Sequence, residues 1–196
     1  MKLLMDRIRQ DGRVIGHEIL KVDSFLNHQL DPQLIQAIGR EFAGRFAGLG
    51  VTKILTIEAS GIAVALMAGL EMGVPVLFAK KRRARTQSEA VYAAPVTSYT
   101  RGETVEVYVS QRYISPDDTV LILDDFLAMG EATSGLIALV RQAGARLAGV
   151  GIVVEKGFQE GGRRLRAQGV NLQSLVVIEA LGADGIRFAE PQVAQA

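Results

Sequence analysis

Five short aliphatic runs, separated by segments of helical period or by turns, constrain this 196-residue chain more than any other feature. They lie at residues 53–58 (KILTIE), 74–79 (VPVLFA), 119–123 (TVLIL), 149–154 and 175–178. Runs this short and uniformly apolar suit strands buried on both faces, which is the condition of a parallel sheet covered by helices. The chain reads as an α/β protein with a five-stranded, mainly parallel sheet. In such sheets ligands bind beyond the carboxyl ends of the strands. The chemistry is therefore expected just after residues 58, 79, 124 and 154.

The intervening segments fit that reading. Asp31-Pro32 is a helix start, with a capping carboxylate and then proline in the first turn. Leu34, Ile35, Ile38, Phe42, Phe46 and Leu49 recur at helical spacing until Gly48 and Gly50. Further helices are expected over 62–72, 131–143 and 159–168. Residues 80–94 are polar and basic, and 96–99 with 104–110 alternate as a hairpin around Arg101-Gly102. Asp184-Gly185 predicts a turn before a last short strand and a loose tail. No repeat or linker divides the chain, so 1–196 is expected to form one domain.

Lys plus Arg number 22 and Asp plus Glu 21, a net charge of +1, which argues against a protein built to coat nucleic acid or an anionic membrane. The absence of cysteine excludes disulfides, thiolate zinc sites and cysteine nucleophiles. Asp6, Arg7 and Arg9 stand where a signal peptide needs an apolar core, and Glu71, Gly73 and Pro75 interrupt the apolar stretch 62–79. A cytoplasmic, soluble protein without nucleic-acid or membrane partners is expected.

The most informative run is 120–133, VLILDDFLAMGEAT. Four aliphatic residues build a strand, Asp124 and Asp125 stand where it leaves the sheet, and a small-residue loop leads into a helix at Glu131 or Ala132. Successive amides in such a loop, with the positive end of the new helix, cradle a phosphate. Gly130 lets the backbone approach it. Carboxylates cannot hold phosphate but accept hydrogen bonds from sugar hydroxyls. A phosphorylated sugar satisfies both; an acidic strand end with a tight turn is the plainer alternative. No Walker motif and no GxGxxG is present.

Other candidates cluster at the same expected edge. The turn 58–61 exposes main-chain donors through Gly61, or is an ordinary turn with Ser60 as helix cap. Residues 80–85 (KKRRAR) hold five positive charges in six positions. They suit an RNA-binding or localisation patch, a solvated loop, or a mobile arm, led by Lys80 and Lys81, that brings cations to an anion. Lys156 follows a strand, Phe158 can stack on a ring or merely pack, and Asn27 carries the amide groups to read a heterocycle. His17 and His28 lack metal-ligand spacing, and no protein metal cage is expected.

Residues 20–29 (LKVDSFLNHQ), 56–63 (TIEASGIA), 124–128 (DDFLA) and 154–159 (VEKGFQ) resemble the type I phosphoribosyltransferases, and among them the bacterial xanthine phosphoribosyltransferases, over nearly the whole chain. The resemblance implies that fold, with a small hood from about 1–30 and 155–190 and a flexible basic loop at about 80–110. It implies transfer of phosphoribose from phosphoribosyl pyrophosphate (PRPP) to N9 of xanthine in purine salvage, giving XMP and pyrophosphate. Asp124 and Asp125 would hold the ribose hydroxyls, and Ala128, Met129, Gly130, Glu131 and Ala132 the 5′-phosphate. Ser60, Gly61, Lys80 and Lys81 would meet pyrophosphate; Leu20, Asn27, Lys156 and Phe158 would meet the purine. Magnesium would be carried mainly by PRPP and water, and the protein would be a homodimer. The family's loop tends to read Ala-Asn-Gly-Gln-Ala, whereas here Met129 and Glu131 stand in it. The alternatives are a non-catalytic PRPP-sensing regulator of the same fold, or an enzyme preferring hypoxanthine, guanine or adenine.

Overall fold

The computed structural model describes residues 1–81, 89–98, 103–182 and 185–189. Arg82, Arg83 and Arg85 of the basic cluster, the Arg101-Gly102 turn, Asp184 and the tail lie outside the described residues.

The chain opens with helix α1 (Lys2–Asp11), which buries Leu4 and Ile8. The short antiparallel pair β1 (Arg13–Ile15) and β2 (Ile19–Lys21) follows, then a π-helical turn (Asp23–Asn27) that buries Phe25 and Leu26. Helix α2 (Pro32–Arg45) begins as its sequence predicts: the Asp31 carboxylate accepts the amides of Gln33 and Leu34, both at 3.1 Å. It ends at Arg45, short of the apolar Phe46 and Leu49.

Strand β3 (Lys53–Ile57) leads into α3 (Gly61–Met72), and Gly73 closes that helix at φ +68°. Strand β4 (Val76–Ala79) completes the first half of the sheet. The hairpin of β5 (Val91–Ser98) and β6 (Glu103–Ser110) is longer than its sequence suggests. It buries Ala94, Val96, Val107 and Val109 in the same cluster as α4, so this part of 80–110 is a hairpin packed on that helix. Strand β7 (Thr119–Leu127), helix α4 (Glu131–Gln142), strand β8 (Arg146–Lys156), helix α5 (Glu160–Ala167) and strands β9 (Leu172–Gly182) and β10 (Gly185–Phe188) complete the chain.

The main sheet has the order β10-β9-β8-β7-β3-β4. The five strands from the aliphatic runs are mutually parallel, and β10 adds a sixth, antiparallel, at the edge beside β9. One face carries α1, α2 and α3 with the π-helical turn; the other carries α4, α5 and the hairpin. Leu121 and Leu123 point into the first core, Val120 and Ile122 into the second, which is why a single run must be apolar throughout. Among the described residues no helix is long and apolar enough to cross a membrane.

Candidate active site

Strand β7 does not end at Leu123. It continues through both aspartates to Leu127, because β8 is long enough to pair with it at Asp124↔Ile152 and Phe126↔Val154. Asp124 and Asp125 therefore sit within the sheet, and both are buried. Each carboxylate accepts the next amide: Asp125 N donates to Asp124 Oδ1 at 3.0 Å and Phe126 N to Asp125 Oδ1 at 3.0 Å. Burial, with the neighbouring Asp125 charge, raises the pKa of Asp124 well above the ordinary aspartate range.

The turn after β3 lies against this pair. A Cβ placed on Gly61 would collide with Thr56 Oγ1 and stand 3.0 Å from Asp124 Oδ1, so only glycine fits there. Among the described residues the buried Thr56 hydroxyl has no hydrogen-bond partner. Ser60 occupies the capping position of α3 but makes no side-chain cap bond, which removes the plain capping role. Glu58 Oε1 accepts the amide of Lys81 at 2.6 Å, and Lys80 pairs through its backbone with Tyr108 of β6. The ends of β3, β4 and β7 thus bring Ser60, Gly61, Lys80, Lys81 and the acid pair to one edge.

The loop from Ala128 to Ala132 follows directly. Gly130 is the cap of α4 at φ +82°, a conformation that favours glycine. The loop is braced from behind by α5. Gly161 N donates to Ala128 O at 3.0 Å, and a Cβ on Gly161 would collide with that oxygen and lie 2.7 Å from Gly130 N. Glu131 pairs with Arg164 of α5, Nη2 to Oε1, at 2.9 Å.

Lys156 is the last residue of β8, not a residue beyond it. Its Nζ donates to the carbonyl of Glu18 at 2.7 Å, tying β8 to the segment that precedes Leu20. Burial lowers the Lys156 pKa. Leu20 is buried, Phe158 packs on the same core, and Asn27 is exposed at the end of the π-helical turn. His17 Nδ1 approaches Leu181 O at 3.4 Å and His28 is exposed.

No protein-family model matches the chain. Among curated proteins it is 54% identical over 188 residues to a xanthine phosphoribosyltransferase of Moorella thermoacetica, covering 96% of each chain. It is 52% identical over 195 residues to that of Bacillus thuringiensis, covering 100% of this chain and 99% of the relative. This chain belongs to the xanthine phosphoribosyltransferase family. Solved structures agree on the fold. The adenine phosphoribosyltransferase of Rhodothermus marinus superposes with a TM-score of 0.73 at 21% identity, covering 90% of this chain and 99% of that one. The Trypanosoma brucei enzyme, in complex with AMP, pyrophosphate and ribose-5-phosphate, gives 0.73 at 20% identity, covering 89% and 79%.

In this xanthine phosphoribosyltransferase family member, Gly161 and Arg164 were not singled out from the sequence, and Thr56 and Glu58, inside the run 56–63, were given no role of their own there. Thr56, Glu58, Gly161 and Arg164 all stand at the site because of pairings across the fold. For Gly161 and Arg164 the sequence offers only the Gly161-Gly162 doublet at a helix start as a signal.

Proposed function

We propose that the protein transfers the 5-phosphoribosyl group of PRPP to N9 of xanthine in the cytoplasm. The C1′–oxygen bond to pyrophosphate breaks, the C1′–N9 bond forms, and the N9 proton is lost, giving XMP and pyrophosphate. The observation that carries this reading is the convergence, in a chain of this family, of buried acids, a glycine turn and a glycine-capped loop at one sheet edge. Asp124 and Asp125 accept the ribose hydroxyls, and the amides from Ala128 to Ala132 hold the 5′-phosphate. Ser60, Gly61, Lys80 and Lys81 face the pyrophosphate. Leu20, Asn27, Lys156 and Phe158 bound the purine side. Positioning and neutralisation of the leaving charge, more than covalent chemistry, are what such a site supplies.

Two adjacent acids fit a magnesium ion brought in on PRPP. Among the described residues no group of three metal-ligating side chains forms a cage, so substrate and water oxygens would complete its shell. When bound, the ion offsets charge on the pyrophosphate. A homodimer is the proposed assembly.

The test is direct. The purified protein is incubated with PRPP, magnesium and each of xanthine, hypoxanthine, guanine and adenine, and nucleotide is measured. XMP should form fastest. Another nucleotide in excess would reassign the base, and PRPP binding without turnover would turn the protein into a sensor. Lys156→Ala should weaken xanthine roughly tenfold, as loss of a charge-assisted hydrogen bond would.

A further inference from the structure

We propose that Arg164 is a positioning residue for the phosphate loop: it takes up the charge of Glu131 so that the turn at Gly130 stays open to a dianion. This rests on the reading above, in which residues 128–132 receive the 5′-phosphate of PRPP.

Glu131 creates the problem. It is the first residue of α4, where a carboxylate suits the helix dipole. A phosphate at the same helix end draws on that same positive field. Left alone, Glu131 would repel the ligand and compete with it for the loop amides, and like charges a few ångströms apart weaken binding by an order of magnitude or more.

Arg164 answers it from outside the loop. Its Nη2 lies 2.9 Å from Glu131 Oε1 and 3.4 Å from Ser134 Oγ, and Ser134 Oγ in turn donates to Gly130 O at 2.8 Å. One guanidinium group therefore holds the carboxylate and, through a hydroxyl, the carbonyl of the residue at φ +82°. The cation is delivered by a fixed element. Leu165 beside it is fully buried, and Gly161 brings the first turn of α5 against Ala128 with no room for a Cβ.

The pair is too exposed to matter much for folding, with 39% of each side chain accessible. Its consequence lies in the charge at the loop, so affinity for PRPP, not stability, is the quantity that should respond.

The test is a double-mutant cycle on the full chain, with PRPP dissociation constants measured by titration in magnesium alongside kcat, both KM values and melting temperature. Arg164→Ala should weaken PRPP about tenfold, leave KM for xanthine within about twofold, and leave the melting temperature nearly unchanged. Arg164→Lys should recover most of the loss. In a Glu131→Gln background, Arg164→Ala should cost less than about twofold, because no charge remains to neutralise. An equal loss in both backgrounds would overturn the proposal, since Arg164 would then act on the ligand itself. PRPP affinity unmoved by Arg164→Ala, while Gly130→Ala abolishes it, would sink this inference and leave the loop assignment standing. A parent protein that fails to bind PRPP at all would remove both.

Discussion

The carboxylate of Glu58 accepts the backbone amide of Lys81 at 2.6 Å, joining the turn after β3 to the start of the basic segment after β4. Lys81 acts on the site by charge as well, since it draws the pKa of Asp124 down against burial and the Asp125 charge. Glu58→Ala should therefore let the Lys81 amide drift and raise KM for PRPP several-fold, as loss of about 1 kcal/mol implies. Glu58→Gln keeps an acceptor and should lie near the parent. Steady-state kinetics with PRPP varied will decide it, and an unmoved KM in Glu58→Ala would detach this bond from function.

Asp124 is held at a cost to the empty protein. Burial and the Asp125 charge raise its pKa, so its ionised form is disfavoured in the fold and opposes stability as pH rises past the ordinary aspartate range. Asp124→Asn keeps an oxygen for the Asp125 amide and removes the charge. It should melt a few degrees higher at neutral pH, on the order of 1 kcal/mol, while kcat/KM for PRPP falls at least tenfold. Calorimetry and kinetics on one sample test both halves. A variant less stable than the parent at neutral pH would contradict the burial argument.

Gly61→Ala should fail for a steric reason. The new Cβ would meet Thr56 Oγ1 and crowd Asp124 Oδ1 at 3.0 Å, and Thr56 is fully buried and stiff at its β-carbon. A destabilisation of about 1–3 kcal/mol and a large drop in kcat/KM are expected. Adding Thr56→Ala removes the colliding hydroxyl and should restore part of the stability, read by urea unfolding. No recovery in the double variant would show that the crowding lies elsewhere.

Glu155 is buried near the end of β8 and receives Nη1 and Nη2 of Arg166, each at 2.7 Å, together with the hydroxyl of Ser174. Burial pushes its pKa up, but Arg166 and Ser174 outweigh it and the net shift is downward. A depressed folded pKa means stability present above the unfolded pKa and lost as pH falls through the folded one. The stability gap between the parent and Glu155→Gln should thus be widest at neutral pH and shrink below the ordinary glutamate range. Urea unfolding across that range measures it, and a gap constant with pH would discard the pair as the cause.

The layered sheet was legible because its signals are local. Five apolar runs, the Asp31 cap and Gly73 each declare themselves within a few residues, and all three appear in the fold. The stretch 120–133 likewise placed the strand, the glycine turn and the helix start, since these are contiguous there, but it set the acids at the strand's exit when they stand inside it. The rest depends on distant partners. Helix α1 buries only Leu4 and Ile8, too little apolar periodicity to announce a helix before the sheet it packs on is known. The bond from Lys156 to Glu18 spans 138 residues, and that from Arg164 to Glu131 spans 33. The extension of β7 through Asp125 follows from the length of β8, which its own apolar run understates.

The two cores on opposite faces of the sheet have a consequence for how such a protein diverges. Leu20, Phe25 and Leu26 settle into one, whereas Leu127 and α4, which flank the glycine-capped loop, settle into the other. Drift in the segment around Leu20 and Asn27 can accumulate without loosening the opposite layer. Under the proposed assignment of these two regions, a lineage could trade one heterocycle for another while keeping its grip on the sugar donor.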